Sequence, residues 1–152
     1  MNDKIFLAAP IHDALRQRLT TSGFELIELN GLDKKLSLEA ALSQVHGIIT
    51  SNALKITKSI IDAAPNLKWI GRLGSGMEII DTDYAAQKSI VCFNSAEGNA
   101  NAVAEQAFGM LLSLKHKITS SFEEVKNGIW EREANRGTEI EGQTATIVGF
   151  GA

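Results

Sequence analysis

The sequence predicts an α/β protein built on a doubly wound parallel sheet. Short apolar runs of strand length alternate with amphipathic helical patterns up to about residue 95. Gly or Pro punctuates most of the joins, at Pro10, Gly23, Pro65 and Gly74. The second run, residues 24–29, alternates apolar and acidic side chains as an edge strand does. With right-handed crossovers, an edge position for that strand gives the order 2-1-3-4-5.

Taken in turn, residues 4–8 form an apolar strand ended by Pro10. Ile11, Leu15 and Leu19 fall at helical spacing over residues 11–21, and Gly23 stops that helix. Ser37 can cap a helix with Leu38, Ala41, Leu42 and Val45 on one face. Residues 47–50 are the third strand, 57–64 a short helix ending at Pro65, and 67–72 the fourth strand. Asp81 or Thr82 caps a helix through Tyr84 and Ala85, and residues 90–93 are the fifth strand.

The character changes after Asn94. A helix over residues 100–118, capped by Asn99 or Asn101, carries apolar residues around nearly its whole circumference and so calls for burial on several sides. A polar helix over 120–127 follows, then Trp130-Glu131-Arg132 and an irregular stretch around Gly137. Glu141-Gly142 reads as a tight turn into a final strand over 144–148. The expected domains are residues 1–98 and 99–152.

Composition narrows the function. A net charge of −3, with scattered Lys and Arg, leaves no footprint for nucleic acid. The most apolar stretch, residues 102–114, is too short to span a bilayer and includes Glu105 and Gln106. Residues 1–4 lead directly into a strand with no signal peptide in view, and the one cysteine, Cys92, fits a reducing compartment as a buried, inert thiol. A cytoplasmic protein is expected. His12, His46 and His116 are far apart and read as surface residues, and no Cys/His cluster has metal-ligand spacing.

In an open parallel sheet, ligands bind at the carboxyl ends of the strands. The loop after the first strand, Ala8-Ala9-Pro10, has no polar side chain. Ser51 and Asn52 follow the third strand, and Arg72-Leu73-Gly74-Ser75-Gly76-Met77-Glu78 follows the fourth. Gly74-Ser75-Gly76 is either a tight connecting turn or a nest of outward N–H groups able to hold a carboxylate. Arg72 could orient an anion or pair with Glu78, and Asn99 could simply cap its helix.

The chain's last residues, Ile147-Val148-Gly149-Phe150-Gly151-Ala152, are an apolar run followed by Gly-x-Gly, the opening of a dinucleotide fingerprint. The third glycine, the helix and the ribose-binding acid are not among these residues. The sequence looks like the front half of a nucleotide-binding enzyme, and alone it is expected neither to bind the cofactor tightly nor to carry out the chemistry.

Several motifs together resemble a family. Arg72 to Asp81 is similar to the R-x-G-x-G-x-D-N-I-D segment of D-isomer-specific 2-hydroxyacid dehydrogenases, most of all their phosphoglycerate dehydrogenase branch. Asn94, Asn99, Val103, Ala104 and Glu105 match N-x-P-G-x-N-x-x-x-V-A-E. Trp130-Glu131-Arg132, Gly142-Gln143-Thr144 and Ile147 to Gly151 match W-x-R, G-x-T and I-x-G-x-G. The resemblance implies a flavodoxin-like substrate domain, followed by a hinge helix and the start of a Rossmann domain. It implies NAD as cofactor, a small 2-hydroxy or 2-keto acid as substrate, and hydride transfer between them. Substrate-binding positions would be Ser51, Asn52, Gly74, Ser75, Gly76 and Asn99, and cofactor-binding positions Val103, Gly149 and Gly151. The family's catalytic Arg, Glu and His come from its second half, so no catalytic residue is assigned here. A homodimer through the 100–118 helix and the Trp130 arm is expected.

Departures from the pattern bear on the substrate. Ser51-Asn52 stand where the phosphoglycerate branch has Arg-Ser, which removes a cation suited to a phosphate. Glu78-Ile79 replace Asp-Asn, and Ala96-Glu97 replace Pro-Gly. The competing reading is a non-catalytic flavodoxin-like module that binds a ligand or pairs with another subunit. Its receiver-domain version fails, because Ala8-Ala9 and Ser51 stand where acids are needed.

Overall fold

The computed structural model describes residues 3–28 and 34–149, apart from the side chains of 34–37. Its elements are β1 (Lys4–Leu7), α1 (Asp13–Thr21), β2 (Glu25–Glu28), α2 (Lys34–Leu42), β3 (Gly47–Thr50), α3 (Lys58–Asp62), β4 (Trp69–Arg72), α4 (Thr82–Gln87), β5 (Val91–Asn94), α5 (Ala96–Lys115) and α6 (Ile118–Lys126). They fall into two compact units, Met1–Ala96 and Glu97–Ala152.

The first unit is a five-stranded parallel sheet in the order β2-β1-β3-β4-β5. The predicted fold class and strand order are therefore observed, with β2 at an edge. The central strands are apolar on both faces, as a sheet covered on both sides requires. Phe6, Ile48 and Ile70 point to one face and join Leu42, Val45, Ile56, Ile61 and Ala85 in the larger core. Ile5, Leu7 and Ile49 point to the other, against Ile11, Leu19, Phe24 and Leu26 around α1.

Two glycines in central strands have a packing reason. Gly47 lies opposite Trp69 in the register, and Gly71 opposite Phe93. A Cβ on Gly47 would collide with the Trp69 indole, and one on Gly71 would lie 2.9 Å from the Phe93 ring. The two rings then stack with centroids 5.5 Å apart.

Ser37 does not cap α2. The helix begins three residues earlier, at Lys34, in a run of good helix formers. Asp81 does cap α4, its carboxylate accepting the Tyr84 N–H at 3.1 Å. His12 caps α1, with Nδ1 accepting the Ala14 N–H at 3.1 Å. His46 is half-buried rather than fully on the surface, because its Nδ1 accepts the Lys4 N–H at 3.1 Å beside β1.

In the second unit α5 starts at Ala96, so neither Asn99 nor Asn101 is its cap. Ser95 directly precedes it, a residue type favoured at that position. Lys117, in the left-handed region with φ 54°, turns the chain from α5 into α6. The following arm folds back: the Lys117 ammonium donates to the Ala134 carbonyl at 2.6 Å, and the Thr138 N–H to the Lys115 carbonyl at 2.9 Å. Gly137 meets the His116 backbone so closely that a Cβ would lie 2.7 Å from its Cα. The turn at Glu141-Gly142 is present, with Gln143 N–H donating to Ile140 at 3.1 Å and Gly142 at φ 72°. Residues 144–148 form no strand among the described residues, since no neighbour supplies a ladder for them.

Candidate carboxylate site at the sheet's carboxyl end

The loops after β3, β4 and β5 meet at the carboxyl end of the sheet. Thr50, fully buried at the end of β3, donates from Oγ1 to the Leu54 carbonyl at 2.9 Å and closes the β3 loop. Its own carbonyl accepts the Leu73 N–H at 2.8 Å, which fastens the β4 loop beside it. Ser51 is half-buried and Asn52 exposed in the β3 loop.

The β4 loop is held by its carbonyls. The Gly74 carbonyl accepts the Ser95 N–H at 3.0 Å. The Ser75 carbonyl accepts Nδ2 of Asn94 at 2.5 Å. The Gly76 carbonyl accepts Nη1 of Arg72. In a planar trans peptide the carbonyl and the next residue's N–H point in opposite directions. Pinning these successive carbonyls to the protein turns the N–H groups of Ser75, Gly76 and Met77 away from it. None of the three donates to a described acceptor. Gly74, at φ 148°, occupies backbone space that side-chain-bearing residues avoid. Consecutive free N–H groups of this kind form an anion-binding concavity.

Arg72 is only 8% exposed. Its Nη2 donates to Asn52 Oδ1 at 2.7 Å and lies 3.1 Å from Glu78 Oε1. The sequence left two roles open for this arginine, and the structural pair with Glu78 is the one formed. A buried guanidinium needs such partners, because an unpaired one carries a large desolvation penalty. Nε remains buried without a partner among the described residues, at a cost of about 1–3 kcal/mol. A Cβ on Gly76 would run into the Glu78 carboxylate and sit 3.1 Å from Arg72 Nη1, so glycine leaves room for the pair.

The structure thus brings Ser51, Asn52, Gly74, Ser75 and Gly76 to one end of one sheet. Asn99 and Val103 belong to the second unit, on the exposed surface of α5. Gly149 adopts φ 107°, and Gly151 lies outside the described residues. Asn94, which matches the family's motif but has no role assigned from the sequence, holds the loop from behind. Its place at the end of β5, beside the β4 loop, is the signal that marks it.

Cys92 is half-buried rather than fully buried, and burial pushes its thiol pKa up. Among the described residues there is no His/Cys/Asp/Glu cluster suited to a metal ion, and no helix long and apolar enough to cross a membrane.

Residues 5–146 match the family model of the D-isomer specific 2-hydroxyacid dehydrogenase catalytic domain. The chain belongs to this family. It is 33% identical over 148 residues to D-3-phosphoglycerate dehydrogenase of Homo sapiens, a match covering 97% of this chain and 28% of that protein. It is 36% identical over 118 residues to hydroxypyruvate reductase of Thermotoga maritima, covering 78% and 39%. Among solved 2-hydroxyacid dehydrogenases, the NAD+-bound 3-phosphoglycerate dehydrogenase of Entamoeba histolytica superposes with a TM-score of 0.65 at 28% identity. That superposition covers 77% of this chain and 40% of that one. The chain therefore spans little more than a quarter of the human phosphoglycerate dehydrogenase.

Proposed function

We propose that the first unit binds the carboxylate of a small 2-hydroxy or 2-keto acid on the N–H groups of Ser75, Gly76 and Met77. It would do so as the substrate-binding part of an NAD-dependent dehydrogenase that moves hydride between the substrate C2 and the nicotinamide. The observation that carries this is the capture of the Gly74, Ser75 and Gly76 carbonyls by Ser95, Asn94 and Arg72. That capture fixes donors before a ligand arrives, so little ordering is required on binding. Ser51 and Asn52, on the adjacent loop, would border the rest of the acid. Membership of the family supports the reaction class, and the NAD+-bound relative supports the choice of cofactor.

Within this reading Asn99 approaches the substrate and Val103 the cofactor, both on the resemblance alone. Gly149 would form the first turn of the dinucleotide cradle, for which its positive φ suits it. No catalytic residue is assigned to this chain. The protein would work in the cytoplasm as a homodimer, a second copy covering α5 and the Trp130 arm. Phe108, Met110, Leu114 and Trp130 are exposed there, in keeping with an interface.

Titration of the 15N-labelled chain with glycolate tests the carboxylate site, with ethylene glycol as the uncharged control. Glycolate is expected to shift the amide signals of Ser75, Gly76 and Met77, and ethylene glycol to leave them in place. In Gly76→Val the response should vanish. Equal shifts with both compounds, or shifts clustered elsewhere, would contradict the proposal.

A further inference from the structure

We infer that Arg72 is a positioning residue, clamped by Asn52 and Glu78, that holds the third amide of the carboxylate site and is not offered to a second anion on the substrate. The inference rests on the carboxylate reading above and adds a substrate class: acids with a single negative charge at this end of the sheet, rather than phosphorylated ones.

Both terminal nitrogens of the guanidinium are engaged. Nη1 reaches back to the Gly76 carbonyl, and Nη2 is shared between Asn52 Oδ1 at 2.7 Å and Glu78 Oε1 at 3.1 Å. Nε is buried and faces no solvent from which a ligand could approach. The Glu78 carboxylate balances the cation locally, so the pair presents no net charge to an incoming phosphate. The nearby loop residues Ser51, Asn52, Ser75 and Asn94 are uncharged at any ordinary pH.

The clamp also links two loops. Asn52 stands after β3 and Gly76 after β4, and Arg72 is the only side chain among the described residues that bonds to both. Releasing the guanidinium from Asn52 frees it to swing, and the Gly76 carbonyl loses its donor. The peptide between Gly76 and Met77 can then rotate, and the Met77 N–H no longer converges with those of Ser75 and Gly76. The peptides that carry the Ser75 and Gly76 N–H groups are held separately, through the Gly74 and Ser75 carbonyls, by Ser95 and Asn94, and should stay in place.

The test separates clamp from ligand. In the 15N-labelled chain without ligand, the Arg72 Nε–H should give a protected side-chain signal, and the Met77 amide an order parameter in the rigid range of about 0.85. Asn52→Leu, similar in size but without an acceptor, should abolish that Nε–H protection and make the Met77 amide mobile while Ser75 and Gly76 stay ordered. Asn52→Asp, which restores an acceptor, should restore both signals. An ordered Met77 amide in Asn52→Leu would overturn the clamp. Titrations with D-glycerate and 3-phosphoglycerate then address the substrate class. The two should bind with similar affinity and shift the same amides. A preference of about tenfold or more for the phosphorylated acid, of the size a charge-assisted pair provides, would overturn the substrate class, and its loss in Arg72→Gln would show that the guanidinium is offered to the second anion. Silence of the Ser75 and Gly76 amides to both acids would overturn the carboxylate reading and the substrate class with it, whereas the clamp stands or falls on the ligand-free signals.

Discussion

The two units solve the burial of apolar surface differently. In the first, alternate residues of each central strand enter separate cores on the two faces of the sheet, and Phe6, Ile48 and Ile70 lose all contact with solvent. In the second, neither α5 nor α6 has a single buried residue, although α5 is rich in Leu, Met, Phe and Val. A sheet with helices on both sides supplies its own cover, whereas a helix apolar around its circumference needs neighbours on several sides. The first unit therefore supports the loops at the carboxyl end of its sheet on its own elements, while α5 and α6 leave their apolar side chains exposed.

The largest test of this contrast is a pair of truncations. Phe6→Ala should cost about 3–5 kcal/mol of unfolding free energy, as buried Phe truncations do. Phe122→Ala, at a side chain exposed on α6, should cost no more than about 0.5 kcal/mol in the monomer. Chemical denaturation followed by circular dichroism measures both, and equal losses would erase the distinction between the units.

A smaller effect is expected at the sheet's glycines. Gly47→Ala drives a methyl group into the Trp69 indole and should destabilise by about 1–3 kcal/mol, the usual range for an overpacked core. Trp69→Leu in that background should recover part of the loss. If the double variant is less stable than the sum of the two single changes predicts, the glycine is not there to make room for the ring.

Next comes association. If the proposed homodimer forms, Leu111→Glu on α5 should dissociate it while leaving the unfolding of the first unit within about 0.5 kcal/mol of the parent. A substitution at Gly74 should leave the dimers intact. Light scattering reports the size of each, and a Leu111→Glu variant of unchanged mass would count against α5 as the contact. The smallest effect is at Cys92, whose burial disfavours the thiolate. Its alkylation by iodoacetamide near neutral pH should be slower than that of a free cysteine in the unfolded chain, and equal rates would show that the site is open.

Much of the sheet was legible because each strand is a short apolar run bounded by Gly, Pro or a polar cluster, and the acidic residues of Glu25–Glu28 mark an edge. The start of α5 was misread because Gly98 and Asn99 look like boundary residues. Ser95 offers a cap four residues earlier, and the helix tolerates a glycine in its first turn at a cost of about 1 kcal/mol. The terminal strand was read from its apolar pattern, but a strand also needs a ladder partner, which local sequence does not provide. The glycine loop was visible as a candidate, yet spacing could not separate a nest from a plain turn. The difference lies in the carbonyl partners, and those are Asn94 and Ser95, some twenty residues away. Arg72 was equally ambiguous until Asn52, on another loop, was seen to hold it.

In the proposed function the Ser75, Gly76 and Met77 amides converge on a carboxylate. A crystal structure of the chain with bound glycolate tests it most directly. Carboxylate oxygens are expected about 2.9 Å from these nitrogens, with the Arg72 guanidinium still turned toward Asn52 and Gly76. A carboxylate bound to the Arg72 guanidinium instead, with the loop amides facing empty solvent, would contradict it.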